Sequence, residues 1–268
     1  MKADFHIHSN ISDGSDTIRK IIVTAIQKGL DAIAITDHDT LSHFRQIPVG
    51  TGIMVFGGVE ISAIHFQTKT KAHILGYNIQ KPDLLTGFMR ITLISRNKNS
   101  EMQIGVLRRY GLNIDIDKLT RADGRVIYKQ HIMDWLVSTG QAPDMFGAFY
   151  QRTFKNGGPC DFDISYPDAF ETVKAVKKAG GLAVLAHPGQ QQNFWLIPDL
   201  VKSGLDGLEL NHPANSGKDK CVILDYAEKY GLFLTGGSDY HGRYENQTAA
   251  IGDFLSEESG ARAICQEL

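Results

Sequence analysis

The chain has 268 residues, 42% hydrophobic and 22% charged, which allows one large α/β domain or two small ones with a true core. Its formal net charge of −2, with acidic and basic residues interspersed, argues against an extended nucleic-acid-binding face, which needs clustered Lys and Arg. No apolar run approaches the ~20 residues that span a bilayer, so no membrane partner is expected.

Cys160, Cys221 and Cys265 are far apart and form no CxxC pair. The first residues show no charged-then-apolar leader pattern. Both observations lead to the expectation of a reducing, cytoplasmic setting.

The first predicted strand, ADFHIH (3–8), carries His6 and His8. Two residues apart, they point to the same side. Two inward imidazoles need partners, and a metal ion is a natural one. Asp13 follows in the loop. TIRKIIVTAIQKG (17–29) has apolar residues at 18, 21, 22, 25 and 26 and predicts a helix stopped by Gly29. DAIAIT (31–36) predicts a second strand, with Asp37, His38 and Asp39 after it. GIMVFGGVE (52–60) predicts a third, ending at Glu60. AHILGY (72–77) predicts a fourth, with His73 at its start; a short or reversed strand brings His73 to the same end as the others.

Residues 83–163 show helical pattern and loops, in TGFMRITLISRNKNSEMQIGVLRRYG, HIMDWLVSTG and DMFGAFYQRTFKNGG. They are expected to form a mainly helical cap between the fourth and fifth strands. SYPDAFETVKAVKKAGG (165–181) predicts a helix. LAVLAH (182–187) predicts the fifth strand, ending at His187. DGLELN (206–211) predicts the sixth, with Asn211 and His212 at its end. GKDKCVILDYAEKYG (217–231) predicts a helix, and LFLTGGSD (232–239) the seventh strand, with Asp239 and His241 at its end. Gly57–Gly58 and Gly236–Gly237 lack the spacing and Lys of a phosphate-binding loop, and are read as close backbone approach beneath the site.

The β-α-β alternation predicts a parallel sheet, and seven strands in one domain an α/β barrel. Residues 1–82 and 164–268 would form it; residues 83–163 would contribute to substrate binding. Nearly every ionisable cluster falls at a strand's C-terminal end, where a parallel barrel keeps its active site. Six histidines and three carboxylates are too many ligands for one ion. Two or three divalent ions are expected. The mixed ligand set suits Mn, Fe or Zn. Closely spaced ions can lower the pKa of a water and neutralise a transferring phosphoryl group.

The stretches DFHIHSNISDGS, ITDHDT, GGVEIS, HILGY, LAHPG and GGSDYHG, in that order, resemble the PHP family, named for polymerase and histidinol phosphatase. The resemblance implies a distorted (β/α)7 barrel with a trinuclear centre. It implies a first ion on His6, His8, Glu60 and Asp239. A second would share Glu60 and add His73 and His187. A third would use Asp13, His38 and His241. A hydroxide bridging the first two ions would attack phosphorus, with Glu60 and Asp239 essential to turnover. The implied activity is hydrolysis of a small phosphorylated metabolite, a nucleotide or sugar phosphate monoester such as a nucleoside 3′,5′-bisphosphate.

GRVIYKQHIMDWLVSTG resembles the RPHIAxxLVxxG stretch of small phosphoesterases, with Lys129 and Gln130 where Arg and Pro are usual. A related branch opens cyclic phosphates on ribose and then removes the phosphate, which is one alternative. The others are a C–N or lactone hydrolase and a non-catalytic, polymerase-associated metal module. The resemblance makes His131 a candidate phosphate contact or leaving-group acid, and Lys129 and Lys155 candidate phosphate binders. His212, Arg125 and Arg243 are further substrate candidates, with Arg152 weaker. Asp37 is expected to orient metal-bound histidines. His43 and His65 are expected at the surface or in packing, and Trp135 and Phe149 inside the cap. The oligomeric state is left open.

Overall fold

In the computed structural model, which describes residues 1–119, 126–244 and 249–265, every predicted apolar run forms a strand. β1 (Ala3–Ile7), β2 (Ala32–Ile35) and β3 (Met54–Gly57) pair in parallel as one sheet. β4 (Val59–Ile64), β5 (Lys71–Tyr77), β6 (Leu182–Leu185), β7 (Gly207–Asn211) and β8 (Phe233–Gly236) form a second sheet in that order.

The run 52–60 is therefore two strands rather than one. It leaves the first sheet at Gly58, where an added Cβ would lie 3.0 Å from the Gly76 carbonyl oxygen and 3.1 Å from the Thr36 methyl. β4 runs on past Glu60 and turns back into β5 as an antiparallel hairpin. β5 is antiparallel to β6 as well, so the all-parallel expectation fails at this strand; β6, β7 and β8 are parallel. The two sheets meet through isolated bridges, Ile7 to Tyr240 and His38 to Glu60. Among the described residues the strands pair as two sheets that meet at their edges, and no closed seven-stranded barrel is detected. Register shifts between Asp4 and Ile7 and between Glu209 and Asn211 interrupt the ladders where the polar side chains gather.

The helices follow their local signals. Thr17 caps α1 (Ile18–Gln27) by accepting the Lys20 N–H, and Gly29 leaves it at φ +70°. Between β5 and β6 lie α2 (Pro82–Arg109), α3 (Lys129–Ser138), α4 (Ala148–Phe154) and α5 (Ala169–Lys178). Asp168 caps α5 by accepting the Phe170 N–H at 2.9 Å. α6 (Pro188–Gln191), α7 (Ile197–Lys202), α8 (Gly217–Tyr230) and α9 (Glu258–Cys265) complete the set. Ser216 and Asp219 form a reciprocal capping box on α8, and Gly231 ends it in the left-handed region.

Val59, Ile61, Ile74, Val173, Leu185, Leu200, Leu208 and Ile223 belong to one buried cluster joining β4–β7 to α5, α7 and α8. A separate cluster draws only on residues 104–160, with Ile104, Leu107, Ile132, Met133, Leu136, Phe154 and Cys160 fully or almost fully buried. Each such side chain contributes roughly 1.5–3 kcal/mol of burial, which fixes α3 and α4 against the C-terminal half of α2. Among the described residues, no helix is long and apolar enough to cross a membrane.

Candidate metal centre

Five imidazoles converge on one carboxylate. Oε2 of Glu60, at the start of β4, lies 3.2 Å from Nε2 of His6, 3.1 Å from Nε2 of His8 and 3.3 Å from Nε2 of His38. Its Oε1 lies 2.7 Å from Nδ1 of His73 and 2.8 Å from Nε2 of His187. His73 arrives from the reversed strand β5, opposite Ser62. The antiparallel direction is what lets a residue near the start of a strand face the same mouth.

Asp239, past β8, faces the same centre: its Oδ1 lies 3.4 Å from Nε2 of His6 and 3.2 Å from Nε2 of His8. Asp13 stands to one side, with Oδ1 3.5 Å from Nε2 of His241 and Oδ2 3.8 Å from Nε2 of His38. All nine predicted ligands are thus brought together. Local backbone is strained to do so. His187 and Asp239 have φ of +26° and +52° without being glycine, conformations that cost of order 1–3 kcal/mol each. Gly237 passes against the backbone of His6, leaving no room for a Cβ.

The donor chemistry fits divalent ions. Nε2 of His6, Nε2 of His8 and Oδ1 of Asp239 are buried and make no hydrogen bond, although they face one another. Buried polar atoms left unpaired in this way call for a partner, and a cation between them would supply it. The ligand atoms of His6, His8, Glu60 and Asp239 lie within 4.8 Å of one another; so do those of His8, Asp13, His38 and His241, and those of His38, Glu60 and His73. Burial alone would raise the Glu60 carboxyl, but the charges of His38, His73 and His6 hold it well below the usual carboxylate range. Asp239 and Asp13 are likewise held low, against burial, by His6 and His241 in one case and by His38 and His241 in the other. Burial lowers His38 to about 4. His6 is raised well above the usual imidazole value, because Glu209, Glu60 and Asp239 together outweigh its burial.

A family model described as PHP domain matches residues 4–181. The chain belongs to the PHP domain family. It is 41% identical over 251 residues to a phosphoribosyl 1,2-cyclic phosphate 1,2-diphosphodiesterase of Eggerthella lenta, a match covering 91% of this chain and 95% of that protein. It is 28% identical to a 3′,5′-nucleoside bisphosphate phosphatase of Chromobacterium violaceum, over 89% of this chain and 86% of that one. Among solved structures, one described as a metal-dependent phosphoesterase from Bifidobacterium adolescentis superposes with a TM-score of 0.88 at 26% identity, covering 98% of this chain and 94% of that chain. The PHP relatives are phosphodiesterases and phosphatases, and this chain is a phosphoric ester hydrolase of the same type.

Lys129 and Lys155 line a cavity of about 450 Å³ with Asp13, His38, His73 and two cations the sequence reading did not single out, Lys71 and Arg96. Burial, then the charges of Lys155 and Lys71, lower the Lys129 ammonium to about 8. Arg96 is engaged by Asp39, at 2.5 Å, and by Ser62 Oγ at 3.0 Å. His212 borders a second cavity of about 260 Å³ with Asp239 and His241. Gln130 and Gln190 line both cavities, and Gln130 donates to Oδ2 of Asp13 at 2.8 Å.

Other predicted residues are placed elsewhere. His131 is buried in α3, where its Nδ1 accepts the Tyr128 N–H as a helix cap, and it lines neither of these cavities. The Arg243 guanidinium, largely exposed, is paired with Asp134 at 2.8 Å. Arg152 stacks over Phe149, and Trp135 donates to the Asn113 carbonyl. Arg125 lies outside the described residues. Asp37 makes its hydrogen bonds to Ser9 N–H, Ser9 Oγ and Ser12 Oγ at 2.7–2.8 Å, and lies 3.2 Å from the His43 ring, so it shapes the Asp13 loop instead of orienting a ligand histidine. His43 is fully buried and His65 nearly so, with Thr68 Oγ1 2.8 Å from its Nδ1. A Cβ on Gly57 would strike the Phe44 ring, so this glycine does not lie under the metal ligands.

Two buried carboxylates were missed. Glu209 in β7 contacts His6, and Asp4 in β1 accepts backbone N–H groups from Ser238 at 3.0 Å and Gly252 at 2.8 Å. Burial raises Asp4 to about 6 despite these bonds. The available signal was a charge inside an apolar strand run. Asp4 also precedes His6 by two residues and so shares its face.

Proposed function

We propose that the protein opens a five-membered cyclic phosphate on a phosphorylated ribose and then hydrolyses the monoester that remains. The observation that carries this reading is the 41% identity to the Eggerthella lenta diphosphodiesterase along 91% of the chain. It puts the cyclic ester ahead of the nucleoside bisphosphate favoured from the sequence.

Each step consumes one water. The first breaks one P–O ester bond of the ring and leaves a monoester and a free hydroxyl. The second breaks the other P–O ester bond and releases inorganic phosphate. In this reading two or three ions of Mn, Fe or Zn are held by His6, His8, Glu60 and Asp239, by Glu60, His73 and His187, and by Asp13, His38 and His241. Bound there, they would lower the pKa of a water and neutralise phosphoryl charge. Lys71, Lys129 and Lys155 are suited to hold the second phosphate as point charges, which gives the segment 83–163 its part in substrate binding. The separate core of residues 104–160 supports treating that segment as a cap on the domain formed by 1–82 and 164–268. Free Cys160, Cys221 and Cys265 fit a reducing cytoplasm.

Phosphorus NMR of a phosphoribosyl cyclic phosphate and a nucleoside 3′,5′-bisphosphate, each with Mn-supplemented protein, tests the reading. The cyclic signal is expected to pass through a monoester to inorganic phosphate. An unchanged cyclic ester beside rapid loss of phosphate from the bisphosphate would overturn it.

A further inference from the structure

His212 stands within ligand distance of two sets of candidate metal donors, His187 with Asp239 and His6 with Glu209. Its ring nitrogens are already committed. Nδ1 accepts the Ala214 backbone N–H at 3.0 Å, so its lone pair is taken. A neutral imidazole carries one proton, which must then sit on Nε2. That nitrogen lies 3.3 Å from Oδ2 of Asp239. A nitrogen bearing its proton has no lone pair to give an ion. Glu209 is committed as well, one oxygen to His6 Nδ1 and the other to His187 N–H. Neither set containing His212 is therefore an ion site.

We propose that His212 is a positioning residue that donates to Oδ2 of Asp239 and so keeps Oδ1 turned toward His6 and His8. The geometry is directional. Oδ1 faces Nε2 of both histidines, at 3.4 and 3.2 Å, while Oδ2 faces His212. Asp239 needs this restraint because its backbone sits at φ +52°, on a loop rather than a strand. Pro213 and Ala214 follow His212 directly, so the same turn that supplies the N–H to Nδ1 sets the direction of Nε2. The inference rests on Asp239 being a metal ligand, but not on the identity of the substrate.

Two substitutions separate the ring's two contacts. His212→Asn places a carbonyl oxygen near the old Nδ1, keeping the acceptor for Ala214, and removes the donor to Asp239. His212→Gln places an amide nitrogen near the old Nε2 and restores that donor. Zinc titrations of the full chain need no substrate, so their outcome is independent of the phosphoesterase reading. His212→Asn is expected to weaken zinc binding by roughly 10–100-fold, the usual effect of losing a group that orients a ligand. His212→Gln is expected to stay within about threefold of the unaltered protein on the same basis. Nitrogen-15 NMR of the unaltered, zinc-loaded chain is expected to place the His212 proton on Nε2, whatever the variants do. A proton on Nδ1, equal loss of one bound zinc in both variants, or unchanged zinc affinity in His212→Asn would each overturn the proposal.

Discussion

Oε1 of Glu209 lies 2.9 Å from Nδ1 of His6, and Oε2 of the same carboxylate accepts the His187 N–H at 2.8 Å. One buried side chain thus orients a ring on β1 and fixes the backbone of a second ligand beyond β6. With Nδ1 donating to Glu209, Nε2 of His6 is left with its lone pair toward Glu60 and Asp239. Glu209→Ala should lower manganese affinity or activity by roughly 10–100-fold. Glu209→Gln, whose amide oxygen can still accept from Nδ1, should retain more of both. Metal content after dialysis, measured beside circular dichroism, checks the ranking; equal behaviour of the two variants would count against an orienting role.

Metal uptake should release protons. In the metal-free chain His6 and His8 are raised above the ordinary imidazole value, against the effect of burial, by the carboxylates around them. An ion binds only the deprotonated rings. Affinity should therefore rise with pH until both rings are neutral, and fall below that point as protons compete. Calorimetric titration with manganese in two buffers of different ionisation enthalpy measures the release. Binding enthalpies independent of the buffer would contradict the prediction.

Lys129 gives a pH dependence of opposite origin. Its ammonium is lowered to about 8, first by burial and then by Lys155 and Lys71. The unfolded chain, with an ordinary lysine, binds more protons from about pH 8 to about 10.5, so stability rises with pH across that window. Below it the buried charge destabilises in full. Lys129→Met should stabilise the metal-loaded protein at pH 7 by about 1–3 kcal/mol, discounted for the side chain's partial exposure. It should also raise KM for a doubly phosphorylated substrate. In the unaltered protein kcat/KM should decline as pH passes about 8, a decline the variant lacks. Thermal unfolding and pH–rate profiles on the same samples report both effects.

Gly237→Ala should be costly. The new Cβ would run into the backbone nitrogen and Cβ of His6, and a clash of this kind typically destabilises by about 1–3 kcal/mol. Since His6 must move to relieve it, metal content should fall along with the unfolding temperature. Loss of stability with full metal content would show that the strand shifts without carrying the histidine away.

Much of this centre is legible in the sequence because strand geometry is simple. Two histidines two apart share a face, and polar residues closing successive apolar runs gather at one end. The run 52–60 reads as one strand because Gly57–Gly58 interrupts no apolar pattern. The break is dictated by Gly76 and Thr36, which approach from other parts of the chain. The reversal of β5 is a pairing fact that composition does not encode. Glu209 and Asp4 carry little signal in the sequence because each sits inside an apolar run and finds its partners 203 and 234 residues away. Gln130 reaches Asp13 only after the segment between β5 and β6 has folded against the site, whereas Lys71, two residues before His73 on β5, shares that ligand's face.

We propose that the Glu60-centred cluster drives phosphate ester hydrolysis. The most direct test is inorganic phosphate release from the cyclic ester by manganese-loaded protein, with and without Glu60→Gln. The variant is expected to keep its fold, lose bound metal and slow by at least about 10²–10³-fold. A folded Glu60→Gln protein that releases phosphate at close to the original rate would contradict it.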